Sequence, residues 1–459
     1  MLWALLVGEP IGQRESRQSY AWANNAHASQ HCKSDSGANS VQISESCDVL
    51  VVGGGVIGVC AAYYIAAAGG TVTLVERDEI CGGCSYGNAG LVVLSHSIPL
   101  AAPGVFGKTL LWLLDPDSPF YIKPRLDLDL LRWLWRFAKS CRYQSTREAI
   151  PILRDLTRAS IELYCELAAM KGLAFGFQKN GLLVLYTGSS GREEGRKQAR
   201  LLQEFEIESQ DLSPTRARQF ASTIKPNIAG GTYYPEDYQL IPADFVRGLA
   251  KKAESLGVRM YPSTSVESFE TAGRKISAAI TSRGEIRPSE IVLAAGAWSS
   301  ALLQALQAEL PLQPAKGYSV TLKRSPQMNL LTPLLLHEAK VVVTPMGDAV
   351  RLAGTLELAG LETSINRRRV DGLLRSSQNY ISGIPNPKPI ETWAGLRPCT
   401  PDGLPVVGRL KQFKNLIIAT GHGMLGLTLG PITGKLVSEL IRNDSQTLDT
   451  EALTPARFK

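Results

Sequence analysis

Residues 47–58 read CDVLVVGGGVIG, and this stretch limits the fold more than any other in the chain. Residues 48–52 are almost unbroken in apolar character, as in a short strand buried on both faces. The run passes directly into Gly53, Gly54 and Gly55, then Val56, Ile57 and Gly58, and on into the small-residue stretch 59–68. That order is strand, Gly-x-Gly-x-x-Gly turn, helix. Gly53 permits the tight turn, Gly55 lets backbone N–H groups approach a pyrophosphate, and Gly58 lets the helix lie close to its strand. The first helical turn offers free N–H groups and the positive end of a dipole to phosphate. A second strand, 71–75, ends at Glu76 and Arg77. Glu76 stands about 20 residues past the glycines, where a carboxylate accepts hydrogen bonds from a ribose 2′-OH. These features in this order predict a dinucleotide site. Glu76 would repel a 2′-phosphate, which sets NADP aside and leaves NAD and FAD open.

Composition narrows the class. A chain of 459 residues has room for two or three domains, and 44% hydrophobic with 20% charged residues fits a globular protein with a large core. The net charge of +7 comes from interspersed residues without a basic block, so no nucleic-acid partner is expected. Eight cysteines and five histidines are too scattered for a disulfide framework, and no metal site is expected. Cys81 and Cys84 form one C-x-x-C pair with no second pair to complete a zinc site. No apolar run of about 18 residues or more occurs, so no transmembrane helix is expected. Residues 1–46 differ from the rest. Residues 1–7 are apolar but lack a basic flank and a cleavage site, and 13–46 are rich in Ser, Asn and Gln. A disordered tail is expected there.

Residues 82–90 read GGCSYGNAG, small side chains over a length that suits backbone lying close to a ligand. Here the sequence resembles the amino-acid-oxidising flavoproteins that include D-amino acid oxidase, glycine oxidase, sarcosine oxidase and bacterial D-amino acid dehydrogenase. In that family a Ser-x-x-Asn-Ala-Gly segment lies against FAD. Ser85, Asn88, Ala89 and Gly90 match it, which moves the expected cofactor from NAD to FAD. The resemblance runs from about residue 48 to about 445. It is nearest to the dehydrogenase branch, through the Pro-rich stretch 101–104, K-x-x-x-W-L at 108–113, LRWLW at 131–135, KGYS at 316–319 and WAGLRPCTPDG at 393–403.

The resemblance implies an α/β fold: a Rossmann-type FAD-binding domain with a discontinuous α+β substrate domain, D-amino acid oxidase-like. FAD-binding pieces are expected at 47–98, 149–172, 211–299 and 391–445. Substrate-domain pieces are expected at 99–148, 173–210 and 300–390, and 446–459 as a C-terminal tail. Periodicity predicts helices over 152–173, 193–205, 244–255 and 368–377, and strands over 319–322, 341–344 and 350–354. Val266 falls where the family lines the adenine. The buried strand 291–299 resembles a second flavin-binding fingerprint, with Ala295, Gly296 and Trp298 at the cofactor. Gly421, His422, Gly423, Met424, Leu425, Gly426 and Leu427 follow the buried strand 416–419. They are expected to open the last helix with its N-terminus toward the flavin N1 and C2=O edge, where a helix dipole stabilises the reduced ring.

The implied chemistry is oxidation of a D-amino acid, or a D-proline-type imino acid, to an imine that hydrolyses to a 2-oxo acid. FAD supplies the redox chemistry, and the protein must orient the substrate and exclude water. Arg397 sits in a Gly-Leu-Arg-Pro segment that resembles the substrate-arginine segment of glycine oxidase, and its planar fork suits a carboxylate. Tyr318 and Tyr238 are further candidates for substrate contact, Lys316 for the flavin face, and His422 for a backbone contact to flavin. Sarcosine oxidases tether FAD through a cysteine. The matching position is Gly395 here, with Cys399 displaced from it, so noncovalent FAD is expected.

The helix at 126–142 has Leu130, Trp133, Leu134, Phe137 and Cys141 on one stripe. Leu128, Leu131 and Trp135 lie elsewhere, beside Arg132, Arg136, Lys139 and Arg142. Two readings stand: a core-packing helix, or one resting on a membrane surface. The dehydrogenase resemblance implies electron transfer to a quinone or a protein acceptor. It also implies a cytoplasmic enzyme, peripheral at the inner face of the plasma membrane under the second reading. A glycine- or sarcosine-type oxidase using oxygen, and a flavoprotein subunit of a larger assembly, are the alternatives.

Overall fold

The computed structural model describes residues 42–103, 120–123, 125, 127–325, 328–384 and 388–458. From Gln42 onward the chain forms one compact unit. The expected tail over 1–41, and the 108–113 match, lie outside the described residues.

The first strand is Ile43–Val52, so residues 43–46, expected in the tail, belong to the sheet. It runs parallel to Gly284–Leu293 on one side and Val72–Val75 on the other. The full order is Val266–Ala272, Lys275–Thr281, Gly284–Leu293, Ile43–Val52, Val72–Val75, Arg259–Tyr261, with Leu416–Thr420 parallel to Gly284–Leu293 and Val406–Arg409 antiparallel beyond it. Val72–Val75 and Leu416–Thr420 are buried at every position, as their continuous apolar runs require, and Gly284–Leu293 is buried over its last three residues beside them. Helix Val56–Ala67 is apolar nearly all round and packs against the last helix, Gly430–Arg442. At their crossing, any Cβ on Gly434 would strike the Cys60 backbone.

A second sheet runs in the order Glu391–Cys399, Gln313–Lys323, Ala349–Leu358, Val341–Met346, Leu334–Leu336, Leu182–Tyr186, Gly230–Tyr234, Gln210–Leu212, with Phe120–Ile122 added parallel to Ala349–Leu358. One face packs on helix Arg367–Ser377 through Val320, Leu322, Val350, Leu352, Val370 and Leu373. The expected pieces and the two sheets divide the chain differently. Gln210–Leu212, Gly230–Tyr234 and Glu391–Cys399, expected within or at the edge of the FAD-binding pieces, pair into this second sheet. Pairing partners are set by long-range contacts that strand periodicity does not encode.

Two helices differ from expectation. The one expected to begin at 152 spans Tyr143–Ala168 and passes through Pro151. The proline removes one backbone donor, but buried Ile150 and Leu153 anchor both flanks. The last helix begins at Gly430, and Gly421 to Leu427 form turns ahead of it. The C-terminal stretch packs back onto the body: Leu453 is fully buried, and Arg457 donates to both carboxylate oxygens of Asp402, at 2.7 and 3.3 Å.

Candidate active site

The cleft opens at the C-terminal ends of the first sheet's parallel strands, where Val52, Val75, Ala294 and Ala419 line its floor. This is where open α/β sheets bind ligands. Gly53 has φ +116, a conformation that costs glycine little, and its amide donates to the Val75 carbonyl at 2.9 Å. A Cβ on Gly53 would run into Ala294, and one on Gly58 into the Gly53 carbonyl. Gly53, Gly55, Val56 and Ile57 line the cleft, whereas Gly58 acts behind it by letting the helix approach.

Glu76 closes one end. Its carboxylate accepts from the Gly54 amide at 2.6 Å and the Asp78 amide at 2.9 Å, so it braces the glycine turn and borders the cleft. The Arg77 guanidinium lies 4.5 Å from the centroid of Trp298, and both residues line the same cavity with Val266, Ala295 and Gly296.

At the other end stand Cys84, Ser85, Asn88, Leu396, Pro398, His422, Gly423, Gly426 and Leu427. The Val56 amide donates to Ser85 Oγ at 2.9 Å, docking the 82–90 loop on the helix N-terminus. Asn88 Oδ1 accepts from the Gly90 amide at 2.8 Å. Ala89, Gly90, Gly421, Met424 and Leu425 do not line the cavity; Met424 is exposed, and Leu425 packs against the core. The contact expected from a helix N-terminus therefore falls to the turns at 422–427, because the helix starts only at Gly430.

Buried His422 Nε2 pairs with Thr433 Oγ1 at 2.9 Å, while its Nδ1 is buried with no hydrogen-bond partner among the described residues. Burial pushes the imidazole down to about 3, so it stays neutral and is a poor proton acceptor at neutral pH. Burial likewise pushes the Cys84 thiol up, and the Cys399 thiol up to about 12, each opposed by the Arg397 charge. An acidic end suited to a ribose, a glycine turn with no room for side chains at Gly53 and Gly58, and an orphaned polar atom at His422 fit a dinucleotide running the length of the cleft.

Arg397 stands between Leu396 and Pro398 on Glu391–Cys399. By strand alternation it shares a sheet face with Trp393 and Gly395. The Trp393 indole fills the space over Gly395 and Gly87, and the Arg397 guanidinium covers Gly317 on the neighbouring strand. Arg397 Nη1 donates to the Thr355 carbonyl at 2.7 Å. Arg397 itself does not line the cavity, although its chain neighbours Leu396 and Pro398 do, and the other candidates lie away from it as well. Tyr318 is buried on the opposite face of the sheet, with its hydroxyl donating to Glu357 Oε2 at 2.8 Å. Lys316 is buried on that face too, 3.5 Å from Glu357 Oε1, and does not line the cavity. The Tyr238 ring stacks on Phe177 at 4.8 Å.

Two residues escaped the sequence reading. Buried Arg351 donates through Nη1 to the Tyr86 and Asn88 carbonyls, at 2.8 and 3.1 Å, tying the second sheet to the cofactor loop. Buried Asp237 accepts from the Leu94 and Ser95 amides at 2.7 and 3.1 Å and from Ser95 Oγ at 2.5 Å. Both partnerships span more than a hundred residues and leave no local signal.

Comparison with known proteins agrees with this geometry. The family model described as FAD dependent oxidoreductase matches residues 48–440. The chain is 32% identical to the D-amino acid dehydrogenase of Bradyrhizobium diazoefficiens, over 89% of this chain and 98% of that one. It is 33% identical to the D-amino acid dehydrogenase of Methylobacterium radiotolerans, over 89% and 99%. Among solved structures, glycine oxidase from Geobacillus kaustophilus superposes with a TM-score of 0.74 at 22% identity, covering 90% of this chain and 99% of its own. These matches span both sheets and the cleft between them, so the chain belongs to the FAD dependent oxidoreductase family, and FAD is the dinucleotide its cleft takes.

Proposed function

We propose that this enzyme oxidises the Cα–N bond of a D-amino acid, or of a D-proline-type imino acid, and passes the electrons to a quinone or protein acceptor. The observation that carries the reading is Arg397: a fixed guanidinium on the sheet face that meets the cofactor loop, next to two residues of the cleft wall. An amino-acid carboxylate is the natural ligand for such a fork. FAD, held by the residues of the cleft, would supply the two-electron acceptor for oxidation at the substrate Cα–H. The chain's own part is to hold the carboxylate at Arg397, present the Cα–H toward the flavin and exclude water with the Trp393, Gly395 and Gly317 surface. The resulting imine hydrolyses to a 2-oxo acid and ammonia, or to an amino-oxo acid from a cyclic substrate. The relatives named D-amino acid dehydrogenase support the substrate class. Anaerobic bleaching of the flavin band, screened over D-amino acids, D-proline derivatives, glycine and sarcosine, tests the reading. Bleaching by glycine or sarcosine alone, with fast peroxide formation in air, would favour an oxygen-using oxidase. No bleaching by any of them would favour a flavoprotein subunit of a larger assembly.

A membrane acceptor belongs to the same proposal. In helix Leu128–Ser140, Leu128, Leu131 and Trp135 are 71%, 59% and 60% exposed, whereas Trp133 is 4% exposed. Lys139 Nζ sits 3.5 Å from the Trp135 ring centroid, with Arg132 exposed on the same side. Apolar and cationic groups on one exposed face suit an anionic headgroup layer. Among the described residues no helix is long and apolar enough to cross a membrane.

A further inference from the structure

Arg397 reaches its place over an irregularity in the second sheet. Lys316 on Gln313–Lys323 lies opposite Glu357 on Ala349–Leu358, while Tyr318 lies opposite Gly354. Two steps on one strand answer three on the other, so Thr355 and Leu356 together face Gly317 in a β-bulge. Thr355 has φ +63. A β-branched residue holds this left-handed conformation only where its surroundings impose it. The peptide that this conformation turns is the one whose carbonyl accepts Arg397 Nη1 at 2.7 Å.

The bulge is closed from the other face of the sheet. Glu357 takes Lys316 Nζ at 3.5 Å on one carboxylate oxygen and the Tyr318 hydroxyl at 2.8 Å on the other. Lys316 Nζ also donates to the Ser364 carbonyl at 3.2 Å. All three side chains are buried. One carboxylate thus grips the residues on both sides of Gly317, directly across from the bulged pair. A buried ion pair contributes little net stability compared with an apolar replacement, yet it fixes geometry when its hydrogen bonds are complete.

We propose that the Lys316–Glu357–Tyr318 network positions Arg397, given the carboxylate role proposed above: it holds the Thr355 bulge, whose carbonyl locks the guanidinium in its substrate-binding orientation. The network lies on the opposite face from the guanidinium, so it acts through the backbone without touching substrate. Loosening it lets Thr355 relax to negative φ and turns its carbonyl away. Arg397 then samples other rotamers, and each carboxylate that binds must reorder it. The cost falls on binding more than on the bound complex.

The test compares four variants as FAD-loaded enzymes, using the amino acid that best bleaches the flavin. Arg397→Ala is the reference. Glu357→Gln breaks the grip, Lys316→Met/Glu357→Gln removes both charges so that no unpaired ion stays buried, and Tyr318→Phe removes a single hydrogen bond. Expected for the Glu357 variants is a KM raised about 10-fold or more with kcat within about threefold of wild type. The Kd of benzoate, a carboxylate probe read by flavin absorbance, should rise in parallel. Tyr318→Phe should show the same split at smaller amplitude, and it keeps the test open if a charge variant misfolds. If Arg397→Ala raises KM while all network variants leave it unchanged, the network is scaffold and the proposal is overturned with Arg397 intact. A fall in kcat at constant KM overturns it as well. If Arg397→Ala leaves KM unchanged, the carboxylate role falls and the proposal with it.

Discussion

The indole Nε1 of Trp133 donates to the Cys399 carbonyl at 3.0 Å, which binds helix Leu128–Ser140 to the strand end beside the cofactor cleft. Cys399 is bridged to His422, and the Gly423 amide donates to the Pro398 carbonyl at 2.8 Å. A helix with one face tied to the cleft wall and the other exposing Leu128, Leu131 and Trp135 is built differently on its two sides.

The two tryptophans should therefore separate. Trp135→Ser should reduce flotation with vesicles containing anionic lipid and leave the flavin spectrum and melting temperature unchanged. Trp133→Ser should destabilise the fold by about 3–5 kcal/mol, through lost burial and an orphaned carbonyl, read as a lower melting temperature. Flotation of Trp135→Ser equal to wild type would remove the membrane contact from this face.

Gly53 and Gly58 leave no room for a side chain. Gly58→Ala would push a Cβ into the Gly53 carbonyl and displace the glycine turn that borders the cleft. FAD affinity should fall on the order of 100-fold, about 2.7 kcal/mol, and the protein should purify largely colourless. Glu76→Arg should weaken FAD by about 10-fold or more, through loss of the Gly54 brace and of the carboxylate expected to accept from a ribose hydroxyl. Equilibrium dialysis against FAD measures both.

The flavin should be held without a covalent bond. The thiolate is the reactive form of cysteine, and burial raises the pKa of Cys84 and Cys399. Acid precipitation should leave the yellow colour in the supernatant; colour in the pellet would reveal a tether.

Local constraint explains what the sequence disclosed. The strand, Gly53, Gly55, Gly58 and Glu76 lie within a short span, and each answers to sterics or charge that neighbours impose. Arg397 was singled out for the same reason, as part of a dense motif. Its partner Thr355 was not, because a bulge is a property of two strands in register. Arg351 reaches Tyr86 across 265 residues, and nothing near either residue announces the contact. The glycines at 421–426 carry the signal of a helix opening, yet they serve turns, since Gly421 and Gly423 both take positive φ. Tyr318 and Lys316 alternate with Gly317 along one strand, so the pleat that directs Arg397 over Gly317 turns both of them to the far face.

Asp237 should make stability depend on pH. Burial pushes its carboxyl up to about 7, against the lowering effect of its bonds from Ser95 and Leu94. A group whose pKa is higher folded than unfolded stabilises most below the unfolded value, near 4. That contribution is lost as pH rises through about 7. Asp237→Asn keeps an acceptor for the Leu94 and Ser95 amides but cannot ionise. The melting temperature of wild type relative to Asp237→Asn should be highest at about pH 4 and fall progressively to about pH 7–8. A difference that is flat across this window would show that Asp237 does not change its proton affinity on folding.

The proposed function rests most directly on Arg397. Its guanidinium is oriented by the Thr355 carbonyl and has room because Gly317 lacks a side chain. Loss of a charge-assisted, two-point contact costs about 2–4 kcal/mol, so Arg397→Ala should lower kcat/KM by about 30- to 1000-fold, chiefly through KM. Arg397→Lys should recover only part, since a point charge replaces a fork. Gly317→Ala should mimic the defect by pushing a methyl group against the guanidinium, while the flavin spectrum stays unchanged. Steady-state kinetics with the best-bleaching amino acid, beside benzoate titrations followed by flavin absorbance, separate these outcomes. If Arg397→Ala and Gly317→Ala both retain wild-type kcat/KM and benzoate affinity, the carboxylate is held by another group, and the second sheet meets the substrate through different residues.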